Sequence, residues 1–166
     1  MRVRNLTYAA LIAALYAALC YLQNLLLPGS ASWAIQFRAA EALCVLAFFT
    51  PSAIPGLAVG CFVFNFALST YLPLDLIIGP TASALAAAAM WLLRKTTVKG
   101  YPLLGLLIPA VANGLLVGWE LDLYFGGGFW LNALYVAIGE VAVLLTLGSG
   151  LYYMLRSPRL HRQLFG

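Results

Sequence analysis

The sequence predicts an all-α integral membrane protein, a bundle of six transmembrane helices with both termini on the cytoplasmic side. Three observations carry this expectation. The 166 residues are 64% hydrophobic and only 8% charged, with a mean hydropathy of +0.96, whereas a soluble domain carries roughly 25% charged residues. Apolar runs of about 20 residues, enough to cross a hydrocarbon core roughly 30 Å thick, can be laid out about six times along the chain. The basic residues alternate with these runs. With the N-terminus inside, Arg2 and Arg4, then Arg94, Lys95 and Lys99, then Arg156, Arg159 and Arg162 all fall on the cytoplasmic side, and only Arg38 falls outside. One domain, residues 1–166, uses the whole chain.

The expected spans are 6–27, 37–50, 52–72, 74–93, 102–122 and 129–155, each helical because lipid-facing backbone must satisfy its own hydrogen bonds. The first follows a basic start, MRVR. Tyr16-Ala17-Ala18 resembles a signal-peptide cleavage site, but the spans that follow make an uncleaved helix the better reading. The second span is short, about 21 Å at 1.5 Å per residue, and needs help from neighbouring loops to cross. Thr50-Pro51 and Leu72-Pro73 read as helix starts. Pro55, Pro80 and Pro109 lie inside spans and are expected to kink them. Gly126-Gly127-Gly128 reads as a flexible outer loop, without the GxGxxG or GxxxxGK[ST] spacing of a phosphate site. Cys20, Cys44 and Cys61 lack CxxC spacing and read as small buried hydrophobes. The tail RSPRLHRQLFG reads first as a topology anchor and second as a contact for anionic lipid.

The few remaining charges stand where lipid would surround them. Arg38 and Glu41 sit in the outer half of span two, Asp75 at the outer start of span four, and Glu120 and Asp122 at the outer end of span five. Glu140 lies about 16 Å beyond Phe129, near the midplane. A carboxylate there costs on the order of 3 kcal/mol unless it faces the bundle interior or a water-filled cavity. Arg38 and Glu41, three residues apart, are expected to share a helix face and pair. The other carboxylates outnumber outer-side cations, which suits a ligand that brings donors or positive charge. Asn65, Asn113 and Asn132 extend this polar set, with Asn132 and Glu140 on one line of span six. Trp33, Tyr71, Trp119, Tyr124, Trp130 and Tyr135 lie nearby. Many belong to an interfacial belt, and Trp130 and Tyr135 are the better candidates for stacking on a flat ring.

Ala9, Ala13 and Ala17 recur at four-residue spacing on span one, with Ala10, Ala14 and Ala18 beside them. Small residues at that spacing let another helix approach closely, either one from a partner or one from this chain. No HExxH, no GxSxG and no nucleotide-binding loop is present, and the only histidine is His161 in the tail. A hydrolytic enzyme is not expected, nor is nucleic-acid binding or a bound cofactor or metal.

The stretch FRAAEALCVLAFFTPSAIPGLAVGCFVFN and, beyond it, LPLDLIIGPTASALAA resemble the QueT family of queuosine-precursor transporters, the substrate-binding S components of energy-coupling factor (ECF) importers. The likeness is firm to about Ala89 and looser through the last two spans. It implies a six-helix component of a bacterial plasma membrane that captures a vitamin-like solute from outside. It also implies assembly with a transmembrane T subunit and two cytoplasmic ATPases, with Ala9, Ala13 and Ala17 facing the T subunit. The implied substrates are 7-deazaguanines, namely 7-aminomethyl-7-deazaguanine and queuine. Glu140 or Glu41 would accept the paired ring donors, and Asp75 or Glu120 the aminomethyl cation. Arg38 would orient and charge-balance Glu41. The competing readings are a stand-alone secondary transporter with Glu140 as a proton site, a membrane scaffold using the alanine faces, and, least favoured, an intramembrane enzyme.

Overall fold

A computed structural model describes residues 3–30, 36–68 and 73–165; Trp33 and Tyr71 fall outside them. The described residues are helical, with no β-strand. Helix α1 runs Val3–Leu26, α2 Ala53–Leu68, α3 Asp75–Leu92, α4 Leu103–Leu106, α5 Ile108–Phe125, α6 Phe129–Val143, α7 Ser149–Arg156 and α8 Pro158–Phe165. A 3-10 segment, Ala39–Phe48, lies between α1 and α2, and a π-helical segment, Leu144–Gly148, joins α6 to α7.

Four stretches are long and apolar enough to cross a membrane: Val3–Leu26, Asp75–Leu92, Leu103–Phe125 and Phe129–Arg156. These correspond to the first, fourth, fifth and sixth expected spans. The two shorter ones, Ala39–Phe48 and Ala53–Leu68, fall below that length. Leu11, Leu15, Phe66, Ile77, Val111 and Leu134 are exposed on the outside of the bundle, as a hydrocarbon solvent permits and water would not.

The helices are held by small residues in two matched pairs. Gly56 and Gly60 of α2 sit against the backbone of α1, where a Cβ on Gly56 would come within 2.9 Å of the Ala9 carbonyl oxygen and one on Gly60 within 2.8 Å of the Ala13 carbonyl oxygen. Gly114 and Gly118 of α5 do the same against Ala133 of α6, where a Cβ on Gly118 would come within 2.6 Å of the Ala133 Cα. Both pairs use small residues four apart so that backbones touch and dispersion contacts accumulate. Helix α3 packs between α2 and α5, completing the wall α1–α2–α3–α5–α6.

The 3-10 segment packs on α1, α2, α3, α6 and α7, and all its residues but Ala39 and Leu46 are buried. Its side chains Leu43, Cys44, Val45 and Phe48 join Tyr16, Leu57, Met90, Leu106 and Leu144 in the main core. Ten residues of 3-10 winding are unusual, because that winding usually lasts three or four residues. Enclosure on every side compensates here for its poorer hydrogen-bond geometry.

The punctuation departs from expectation at the prolines and at the glycine run. Pro55 and Pro109 fall in the first turns of α2 and α5, where a missing N–H costs nothing, so only Pro80 is interior to a helix. The Gly126–Gly128 turn is tied at both sides. Asp122 Oδ1 accepts from the Gly128 N–H at 2.9 Å, and Asn132 Nδ2 donates to the Gly126 carbonyl at 2.9 Å.

Candidate functional site

Six of the residues singled out from sequence are buried in the interior: Arg38, Asn65, Asp75, Asn113, Glu120 and Glu140, and Glu41 joins them at 1% exposure. They arrive from five elements. Arg38 stands at the start of the 3-10 segment with Glu41 inside it; α2 supplies Asn65, α3 Asp75, α5 Asn113 and Glu120, and α6 Glu140. Glycines set the spacing between these elements. Gly118 lets α5 and α6 close up, which brings Asn113 Nδ2 to 2.9 Å from Glu140 Oε1. Gly79 leaves room for the Asn65 amide, which donates to the Asp75 carbonyl oxygen at 2.8 Å and to Oδ1 at 3.0 Å. Gly139 lies directly against the backbone of Gln36, seating the chain that leads into Arg38.

The expected Arg38–Glu41 pair does not form among the described residues. Arg38 adopts an extended backbone, φ −97° and ψ 98°, so it lies outside the helical turn that would have aligned it with Glu41. Its Nε is buried without a partner among the described residues, and Asp75 is a carboxylate near enough for its charge to act on it. Glu41 instead accepts from the Tyr16 hydroxyl and, at 3.1 Å, from the Cys44 thiol. In 3-10 winding, residues three apart eclipse one another, which puts Cys44 directly beside Glu41.

Charge in this interior is unbalanced. Arg38 acts on Glu120 and Glu140 alike, while Asp75 acts on Glu120 and Glu41 on Glu140. One guanidinium and four carboxylates therefore share this interior. Both carboxylate oxygens of Glu120, Oε2 of Glu140 and Oδ1 of Asn65 are buried with no hydrogen-bond partner among the described residues. Buried polar atoms are paired in the great majority of cases, and each exception costs about 1–3 kcal/mol. Here the exceptions concentrate in one acidic group, with acceptors outnumbering donors.

Three expected site residues stand apart. Trp130 is 76% exposed on the outer face of α6 and lines an apolar groove with Ala110, Gly114 and Ala137. Tyr135 is half-buried. Asn132 is committed to the Gly126 carbonyl. The alanines divide as well: Ala9, Ala13 and Ala17 are buried, the first two under Gly56 and Gly60, whereas Ala10, Ala14 and Ala18 are exposed. The close approach expected of Ala9 and Ala13 is therefore made within the chain.

Sequence reasoning passed over Tyr16 and Gln23. The side chain of Gln23 donates to Ser30 Oγ at 2.9 Å and to the Phe37 carbonyl, and accepts from the Ala39 N–H at 2.8 Å. It thus satisfies a terminal N–H of the 3-10 segment and fixes both neighbours of Arg38. An amide amid the leucines of α1 was the available signal.

The profile of the QueT transporter family matches residues 6–157. The chain belongs to the QueT transporter family. The match runs from the first turn of α1 to just past the end of α7, so each buried polar residue described above lies inside the QueT region. Membership makes the chain a transporter rather than an enzyme, in keeping with its apolar helices. No curated protein and no solved structure matches the chain.

Proposed function

We propose that this chain is the S component of an ECF importer in a bacterial plasma membrane and that it binds a 7-deazaguanine in the acidic interior. The observation that carries this reading is the set of buried acceptors without partners on Glu120, Glu140 and Asn65. A guanine-type ring presents its N1–H and exocyclic amine as adjacent donors that one carboxylate accepts together, and an aminomethyl substituent adds a cation for another. Glu140, steadied by Asn113, suits the ring. Glu120 and Asp75, which act on each other, suit the cation. Tyr16 and Cys44 hold Glu41 as a wall beside them.

ATP hydrolysis falls to two partner ATPases, reached through a T subunit. The exposed stripe Ala10, Ala14 and Ala18 is the smooth surface left for that subunit, since Ala9 and Ala13 are occupied by α2. Both termini lie on the cytoplasmic side, with the basic residues of Arg94–Lys99 and α7–α8.

The test is thermal unfolding of purified protein with 7-aminomethyl-7-deazaguanine, queuine and guanine. A concentration-dependent rise with a deazaguanine is expected, because a ligand bound only by the folded state stabilises it by RT ln(1 + [L]/Kd). A folded protein indifferent to all of them would remove the deazaguanine assignment and leave the transporter family in place.

A further inference from the structure

We infer that the basic end of the molecule binds the phosphodiester headgroup of an anionic lipid. The site is a cavity of about 340 Å³ between the end of the 3-10 segment, the α3–α4 loop and the α7–α8 corner. Arg94 reaches it from the α3–α4 loop and Arg156 and His161 from the α7–α8 corner, and Thr97, Phe49 and Tyr152 are among the other residues of its wall.

Each guanidinium is fixed but not neutralised. Arg94 Nη1 donates to the Trp91 carbonyl at 2.7 Å, and the guanidinium carbon stands 3.8 Å from the centre of the Trp91 ring. Arg156 Nη1 donates to the Gly100 carbonyl at 2.9 Å. A carbonyl accepts a hydrogen bond without cancelling charge, and a guanidinium carries five N–H donors, so most remain for a phosphate. The five acidic residues of the chain are Glu41, Asp75, Glu120, Asp122 and Glu140, and none lines this cavity. No acidic side chain supplies counter-charge at this cavity.

A lipid fits better than free phosphate because the cavity adjoins the apolar surface. Leu92, beside the α3–α4 loop, and Tyr153, beside Tyr152, are each more than half exposed, so acyl chains can run along the bundle while the headgroup enters the cavity. Basic pockets at the membrane interface take lipid headgroups by the same combination of charge and adjacent apolar surface.

The experiment is native mass spectrometry of protein released from micelles containing phosphatidylglycerol or phosphatidylcholine. Wild-type protein and the control K95Q/K99Q, which removes the same charge from positions outside the cavity wall, should retain phosphatidylglycerol. R94Q/R156Q should retain at least about fivefold less. Thr97→Trp, which fills the cavity and leaves charge unaltered, should also lose retention, keeping the test open if the arginine double variant fails to fold. Equal loss in both double variants, or undiminished retention in Thr97→Trp, would overturn the site. Displacement of the lipid by millimolar inorganic phosphate would overturn the lipid assignment.

Discussion

The two charged regions of this molecule treat charge in opposite ways. At the basic end, Arg94, Arg156, Arg159 and Arg162 reach the surface, and Arg94 and Arg156 are tied to backbone carbonyls and, for Arg94, to the face of Trp91, with no carboxylate partner among the described residues. In the interior, Glu41, Asp75, Glu120 and Glu140 are withdrawn from solvent, and the hydrogen bonds that Glu41, Asp75 and Glu140 accept come from uncharged groups: Tyr16, Cys44, Asn65 and Asn113. Surface charge of one sign orients a chain in its membrane at little energetic cost. Buried carboxylates with unpaired oxygens cost stability and lack any topological purpose, so the contrast separates charge suited to placing a chain in its membrane from charge that the proposed function assigns to solute binding.

The interior half of this contrast breaks most severely at the helix contacts that assemble it. Gly118→Leu should cost about 3 kcal/mol or more, because its side chain meets the Ala133 backbone instead of a movable group; thermal unfolding in detergent checks this, and an unchanged midpoint would mean that α5 and α6 are not held as described. Asn113→Leu should cost about 1–3 kcal/mol by leaving both oxygens of Glu140 without a donor. Asn132→Ala is its sharpening partner: its amide serves a surface turn, and a change beyond about 0.5 kcal/mol would be unexpected. Glu41→Gln should leave the fold intact and weaken deazaguanine binding about tenfold, an effect of about 1.4 kcal/mol. Isothermal titration returning wild-type affinity would reduce Glu41 to a structural group. The smallest effect is expected at Trp130→Ala, where ligand affinity should stay within about twofold because the ring faces outward.

The long spans were legible because hydropathy and basic punctuation are summed over many residues, and single substitutions barely alter the sum. What escaped depended on orientation. Ala9-Ala13-Ala17 and Ala10-Ala14-Ala18 have identical spacing, and one residue of offset turns a helix by about 100°, so alanine alone could not say which face was covered. The deciding signal was on the other helix, in Gly56 and Gly60, four apart. Arg38 and Glu41 were assigned to one face on α-helical geometry, which the extended backbone at Arg38 and the 3-10 winding beyond it do not follow. Local propensity distinguishes the two windings poorly, and enclosure by other helices, a long-range property, selected the tighter one. Trp130 and Asn132 show the same limit: an aromatic ring or amide near the membrane surface suits a belt or a turn as well as a ligand.

The winding of the Ala39–Phe48 segment also governs how its length can change. Each residue advances about 2.0 Å and turns 120°, against about 1.5 Å and 100° in an α-helix. One residue inserted between Glu41 and the anchored Phe48 would carry Glu41 a third of the way around, from Tyr16 into the packed core. Three inserted residues would restore its facing but displace it by about 6 Å along the axis, beyond the reach of a hydrogen bond. The segment therefore has no tolerated change in length.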